Sequence, residues 1–190
     1  YQGDGTSGVN IWGVQVEQKP YATSYIPTDG TSVTRNQDVC NNGGSAASIN
    51  SSEGVLYFEF KPNNTDTSTI SISDNGSSNL VQIYVQNGGN NVRYRVTSGN
   101  TNQFDNNVAT AVDLTQKNKY ALKWKANDFS LWLNGTKINS QTTGLSPIGL
   151  NNLAFYSVFS AGQKVNGNTK ALAVWKEALT DTELQELTTI

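Results

Sequence analysis

Two arginines, a tyrosine and a glutamine are placed to meet a ligand together. Arg93 and Arg95 stand two apart in Val92-Arg93-Tyr94-Arg95-Val96, and Gln82 and Tyr84 stand two apart in Leu80-Val81-Gln82-Ile83-Tyr84-Val85. Apolar residues at every second position mark half-buried strands. With Val81, Ile83, Val85, Val92, Tyr94 and Val96 turned to the core, Gln82, Tyr84, Arg93 and Arg95 turn outward. Asn87-Gly88-Gly89-Asn90 lies between the two runs. These residues tolerate positive φ, which predicts a hairpin that sets Tyr84 and both arginines on one patch. In Phe129–Leu133 the same alternation leaves Trp132 outside, and sheet order decides whether it joins them. An outward aromatic ring offers a face to sugar C–H groups, and guanidinium and amide groups bond hydroxyls or acidic substituents. The expected ligand-binding residues are therefore Gln82, Tyr84, Arg93, Arg95 and Trp132, with a glycan or polysaccharide as partner. Two structural roles compete. The arginines can cover Tyr84 and Trp132 by cation–π contact and stem packing, and Trp132 can pack on an N-terminal arm or a second subunit.

Catalysis finds less support. The chain has no histidine and a single cysteine, Cys40. Ser-His-Asp chemistry, histidine-ligated metals, an intrachain disulfide and a multi-thiolate metal site are all excluded. Cys40 reads as a small, partly buried residue, since no histidine is present to generate its thiolate. Glycoside hydrolysis needs two carboxyl groups about 5–10 Å apart. Glu59 is the one carboxylate inside a well-marked strand interior, and it reads as a cross-sheet partner for a Lys or Arg. Asp113, Asp128, Glu177, Asp181, Glu183 and Glu186 fall at strand ends or on the terminal helix. No catalytic residue is assigned, and a lyase built on Tyr with Lys or Arg has no motif to point to it.

The elements that must carry these residues are strands. Runs at 54–61, 69–73, 80–85, 92–96, 120–126, 129–133, 136–138, 153–159 and 171–176 alternate with period two. In 54–61, Val55, Tyr57 and Glu59 share one face and Leu56, Phe58 and Phe60 the other. Asn134-Gly135 is the sharpest two-residue hairpin signal. Trp124 is expected on the core face with Tyr120 and Leu122. One short helix closes the chain. Thr180 is its N-cap, Glu183 completes a capping box and Leu179 can staple to Leu184. Residues 1–19 read as one alternating strand, followed by an extended linker punctuated by Pro20 and Pro27.

Composition agrees with an extracellular β-protein. Only 15% of the 190 residues are charged, the net charge is −2, and the mean hydropathy is −0.47. Polar positions are filled largely by Asn, Ser and Thr. A slightly acidic chain lacks the Lys and Arg excess that nucleic acid demands. No apolar run approaches the roughly 20 residues of a membrane span, so no membrane insertion is expected. No signal peptide is recognisable, and there is no methionine, so the chain is expected to be a processed or excised piece of something longer.

Several motifs carry a resemblance to a known family. Val16-Glu17-Gln18-Lys19-Pro20-Tyr21-Ala22-Thr23-Ser24-Tyr25-Ile26-Pro27-Thr28, continuing through Gly30, Val33-Thr34-Arg35 and Asp38-Val39, is similar to the joint between jelly-roll modules in bacteriophage tail proteins and bacterial surface proteins. Phe129-Ser130-Leu131-Trp132-Leu133-Asn134-Gly135 resembles the strand ending in Asp/Asn-Gly of concanavalin A-like (laminin G-like) domains. Residues 171–184 resemble their closing strand and helix. The resemblance covers about residues 20–190. It implies an all-β fold, a two-sheet antiparallel jelly-roll sandwich over 39–190 with an extended N-terminal arm over 1–38 and one short C-terminal helix. Glucanases of this fold typically carry two or three acidic residues two apart on a central strand, and no Glu-x-Asp-x-x-Glu run exists here. The family often holds a structural calcium at the sandwich rim, for which Asp66, Asp74 and Asp105 are the candidates, although no Asp-x-Asp-x-Asp-Gly loop is present. The resemblance implies a non-catalytic carbohydrate- or receptor-binding module, extracellular, on a phage tail or at a bacterial surface. A homo-oligomer is also implied, a trimer if the chain belongs to a phage fibre. A structural or assembly module and a glycan hydrolase or lyase remain the alternatives.

Overall fold

A computed structural model describes residues 4, 5, 8, 10–18, 24–34 and 43–190. The chain divides into two compact units, Tyr1–Asp38 and Val39–Ile190. Cys40 and the linker around Pro20 lie outside the described residues.

In the first unit the expected strand over 1–19 falls partly outside the described residues, and the described run 10–17 forms no strand. Gly13 takes a left-handed backbone (φ +69°) in the middle of the run, which breaks the two-residue alternation. Local contacts organise the segment instead. The Ile26 amide donates to Gln15 Oε1 at 2.8 Å, and Trp12 meets Tyr25 edge to face at 6.3 Å.

The second unit is a sandwich of two five-stranded antiparallel sheets with one helix. The strands are β1 (Glu53–Pro62), β2 (Thr67–Ser73), β3 (Leu80–Gln86), β4 (Asn91–Ser98), β5 (Thr101–Ala109), β6 (Asn118–Lys125), β7 (Phe129–Leu133) and β8 (Thr136–Gln141). They continue with β9 (Asn152–Ala154), β10 (Tyr156–Ser157), β11 (Ser160–Lys164) and β12 (Gly167–Trp175), followed by α1 (Asp181–Thr188). One sheet runs β12-β1-β6-β7-β8 and the other β5-β4-β3-β2-β9, while β10 and β11 pair separately as a small hairpin. The inner faces interdigitate. Leu56, Phe58 and Phe60 from β1 meet Val81, Ile83 and Val85 from β3 and Tyr94 from β4 in one buried cluster, with Trp124 at its heart. The β1 and β3 alternations are thus the expected ones, and Trp124 is a core residue as expected.

Two elements escape the sequence pattern. β5 (TNQFDNNVA) carries three asparagines, which rank low in strand propensity. It pairs with β4 as a sheet edge and contributes Phe104, whose ring lies 4.3 Å from Tyr94 and 5.8 Å from Phe129. Its polar outward residues suit an edge that must not recruit a further strand. The expected strand at 153–159 splits into β9 and β10, and β10 leaves the large sheet to pair with β11.

Turns and caps follow the chemistry of their residues. Asn134 and Gly135 both take positive φ (48° and 79°) between β7 and β8, the pattern of a type I′ hairpin. A single 3₁₀ turn, Asn87–Gly89, and Asn90 at φ 51° close the β3–β4 connection. Thr180 caps α1 through the full capping box with Glu183, and Leu179 and Leu184 lie in the same buried cluster. A Cβ on Gly135 would lie 2.9 Å from Thr189 Oγ1, on a backbone where a side chain already costs about 1–2 kcal/mol. Gly135→Ala should therefore lower the midpoint of denaturant unfolding while leaving the slope unchanged. An unaltered midpoint would mean that the β7–β8 turn is not held in this geometry.

Candidate functional site

The outer face of the β5-β4-β3-β2 sheet carries two polar rows. Register sets Thr69, Tyr84, Arg93 and Asn107 in one row and Ser71, Gln82, Arg95 and Asp105 in the next. The structure therefore brings four of the five expected residues, Gln82, Tyr84, Arg93 and Arg95, onto one face, on neighbouring strands and turned away from the core.

Facing outward does not leave them all exposed. Gln82 is 0% and Tyr84 5% accessible. The β10–β11 hairpin packs on β2 and is pinned there by the Ser71 hydroxyl, which donates to the Tyr156 carbonyl at 2.7 Å. Beneath this cover the Tyr84 hydroxyl donates to Gln82 Oε1 at 2.6 Å. Burial pushes the Tyr84 phenol above its ordinary pKa against the opposing influence of Ser157, Arg95 and Arg93, so Tyr84 is a neutral donor. Gln82 Nε2 and Thr69 Oγ1 are buried without a hydrogen-bond partner. Open contact with Gln82 and Tyr84 is thus corrected to a covered polar layer. A strand split that alternation cannot reveal is the cause.

The open part of the face is held by one carboxylate. Asp105 Oδ2 accepts from Arg95 Nε at 2.9 Å and from Asn102 Nδ2 at 2.8 Å. Arg93 Nε reaches Oδ1 at 3.4 Å, a looser contact, and its guanidinium carbon lies 5.6 Å above the Tyr84 ring. Two guanidinium groups share one carboxylate, so the cluster keeps one surplus positive charge. Arg93 is the more exposed of the pair, its side chain 37% accessible against 16% for Arg95. From the hairpin, Phe159 lays its ring on Arg95, 4.9 Å from guanidinium carbon to ring centre, and is itself 50% exposed. Sequence reading missed Phe159 as a site residue by placing it at the end of a strand rather than in the hairpin turn. Its only signal was an aromatic next to Ser160-Ala161-Gly162.

Trp132 does not join this patch. It lies in the opposite sheet, on β7, at 5% exposure beneath α1. Val55, Tyr57, Ala121 and Leu184 surround it, its indole Nε1 donates to Ser130 Oγ at 3.0 Å, and Lys137 sits 5.3 Å over the ring. The short helix covers the outward aromatic of β7, and that fixes Trp132 as packing within its own unit.

Glu59 stands as the cross-sheet partner expected of it. Its carboxylate is buried on the outer face of β1, with Lys170 Nζ at 3.2 Å and Lys117 Nζ at 3.5 Å from the same oxygen. Burial acts to raise its pKa, but the two lysines outweigh this and hold it below the ordinary carboxylate value. The Tyr57 hydroxyl lies 3.4 Å from the other oxygen, and burial together with Glu59 pushes its phenol up to about 12. A phenol so raised is a poor base near neutrality. The three calcium candidates do not form one site. Asp105 holds the arginines, Asp74 accepts from the Gly76 amide at 2.9 Å and from Asn79 Nδ2 at 2.9 Å, and Asp66 is bonded to Asn64. Among the described residues no three His, Cys, Asp or Glu side chains converge, and no helix is long and apolar enough to cross a membrane.

Two five-stranded antiparallel sheets packed face to face define the class, a jelly-roll β-sandwich. The concanavalin A-like lectin/glucanases superfamily model Laminin_G_3 matches residues 42–185, and the chain belongs to that family. No curated protein matches the sequence. Among solved structures, the fold is similar to the CBM40 of a Ruminococcus gnavus IT-sialidase (TM-score 0.65, 16% identity, 81% of this chain and 96% of that one). That module has also been solved bound to α2,3-sialyllactose. Domain 4 of a GH43 extracellular arabinanase from Geobacillus stearothermophilus, in complex with arabinotriose, matches at TM-score 0.59 and 16% identity over 74% and 68% of the two chains. The mouse laminin α1 domains LG4-5 match at 0.55 and 8% over 76% and 40%.

Trp132→Ala should cost about 3–5 kcal/mol, the usual penalty for emptying a buried aromatic site. An unfolding midpoint within error of wild type would contradict the packing under α1. Glu59 makes a pH prediction of definite sign. Its contribution is complete above the unfolded-state pKa of about 4.3 and is lost as pH falls through the lower folded value. From about pH 6 to about pH 3, wild type should therefore lose more stability than Glu59→Gln. Parallel losses in the two proteins would show that the ion pairs add nothing.

Proposed function

We propose that the chain is a non-catalytic carbohydrate-binding module of a larger extracellular protein, with its glycan site on the open strip formed by Phe159, Arg93, Asp105 and Asn107. One observation carries this reading. A half-exposed aromatic ring, backed by a fixed guanidinium, stands beside a second guanidinium that its carboxylate holds only loosely. The ring's free side offers a stacking surface for sugar C–H groups, and Arg93 and the exposed Asn107 offer planar donors to hydroxyl or acidic groups at the same level. Tyr84 and Gln82 act from below, as the floor that orients Arg93. A rigid sheet presents the strip, so little ordering entropy opposes binding. The glycan complexes of the similar CBM40 and arabinanase domains support the reading, as does the engagement of Glu59 by two lysines, which leaves no free carboxylate pair for hydrolysis there.

The setting is a phage tail or bacterial surface protein, which rests on the resemblance of residues 16–39 to a joint between modules. There the domain would serve receptor binding, and a fibre would make it a trimer. A structural or assembly module is the second reading, favoured by how completely the chain's own hairpin and helix cover Tyr84, Gln82 and Trp132.

A glycan array of bacterial-surface and plant polysaccharides, run with wild type, Arg93→Ala and Phe159→Ala, tests the proposal. Binding to a defined glycan should weaken at least about tenfold in each variant, about 1.4 kcal/mol. Silence from folded wild-type protein would favour the assembly module, and the sedimentation-derived oligomeric state would then be the next measurement. Binding retained by both variants would move the site elsewhere.

A further inference from the structure

The other sheet carries a charge cluster that the glycan strip does not use. Lys170 and Lys117 place their ammonium groups on the same oxygen of Glu59, so the two cations are necessarily close to each other. Lys119 lies directly across from Glu59 on β6, and Lys61 stands one alternation further along β1 on the same outer face. Lys119 Nζ donates to the Thr189 carbonyl at 2.7 Å, a contact that leaves its charge unneutralised. Asp113, in the loop beside Lys117, directs its carboxylate to the amide and hydroxyl of Thr115. Among the described residues, Glu59 is the one carboxylate in ion-pair contact with any of the four lysines, leaving about three surplus positive charges within roughly a Debye length. The chain as a whole is acidic, with net charge −2 and a pI near 5.1. One lysine would suffice to balance one buried carboxylate. Further lysines repel one another, a cost that an arriving anion would relieve.

We infer that the outer face of the β12-β1-β6 sheet, around Lys61, Lys117, Lys119 and Lys170, is a second binding site, and that its ligand is a polysaccharide bearing repeated sulfate or carboxylate groups. Glu59 is the fixed anion that spaces the amines. The lysines are surface-held, with Lys170 and Lys117 side chains 62% and 46% accessible, so their ammonium groups can turn from Glu59 to a ligand without unfolding anything. A single-stranded nucleic acid fits this face less well, because Tyr57 beside Glu59 is buried and offers no open ring for a base to stack on. The site lies on the sheet opposite the Arg93 strip, so either can fail without the other.

The test measures binding of dextran sulfate, of polygalacturonate and of uncharged dextran to the wild-type chain across a salt series. Binding to one or both charged polymers should weaken steeply with salt, with a log–log slope set by the few lysines engaged, while dextran should not bind. Dextran sulfate and polygalacturonate separate the sulfate from the carboxylate source. Because removing Lys117 and Lys170 would strand the Glu59 carboxylate, the informative variants keep both. Lys61→Gln with Lys119→Gln should lose at least about tenfold in affinity. Glu59→Gln, which removes the one negative charge of the cluster, should bind more tightly than wild type. Arg93→Ala reads the glycan strip on the other sheet, and a loss confined to that variant would assign the polymer to the strip and overturn the lysine site. Binding that is insensitive to the Lys61/Lys119 pair, weakened by Glu59→Gln, or matched by single-stranded DNA of equal charge would overturn the assignment.

Discussion

The layer of aromatic and branched side chains between the two five-stranded sheets is the constraint on which everything else in the second unit depends. Phe58, Phe60, Tyr94, Tyr120, Trp124 and Phe129 all lie within it, essentially out of contact with water. Each such side chain removes about 150–250 Å² from solvent, and burying one of phenylalanine size is worth about 1.5–3 kcal/mol. Because a one-residue slip would turn every inward ring outward, this layer fixes the register of both sheets. Register in turn fixes which side chains stand side by side on the outer faces. Tyr84 opposite Arg93 and Gln82 opposite Arg95 are consequences of where Ile83 and Tyr94 must point.

Outer faces then acquire their character from what covers them. On one sheet, Val55, Tyr57, Ala121 and Trp132 form an apolar surface that α1 closes with Leu184. On the other, a polar surface of Ser, Thr, Gln and Arg side chains is closed in part by the β10–β11 hairpin, which bonds it through Ser71. Apolar cover fits apolar face, and polar cover fits polar face. The hairpin packs on β2 and its turn reaches Arg95 on β4 through Phe159, and beside that contact lie Arg93 and the Asp105 that both arginines share.

Period-two alternation made the inner layer, the facing of Arg93 and Arg95, and the Asn134-Gly135 turn readable from residues alone, because each depends on neighbours in sequence. The capping box at Thr180 was legible for the same reason. What covers a face is a long-range matter. Trp132 alternates as an outward residue and does face outward, yet a helix that begins nearly fifty residues later lies on it. Tyr84 likewise keeps its expected face but loses its exposure to residues 156–164. Asparagines carry no strand pattern, so β5 became visible only through Phe104 packing on Tyr94, and with it Asp105, the residue that organises both arginines.

Asp105 and Glu59 solve the same problem in opposite sheets, and they differ in the kind of cation they gather. Each is a carboxylate shared by two cations, but Asp105 binds planar guanidinium groups that also stack on Phe159 and Tyr84. Those contacts hold donors in fixed directions, which suits recognition of one sugar in one orientation. Glu59 gathers ammonium groups on flexible stems, which serve as mobile charges without directional preference. Fixed guanidinium groups favour discrimination, whereas mobile ammonium groups favour attraction. Under the proposed glycan-binding function, the two properties would act in sequence on one sandwich.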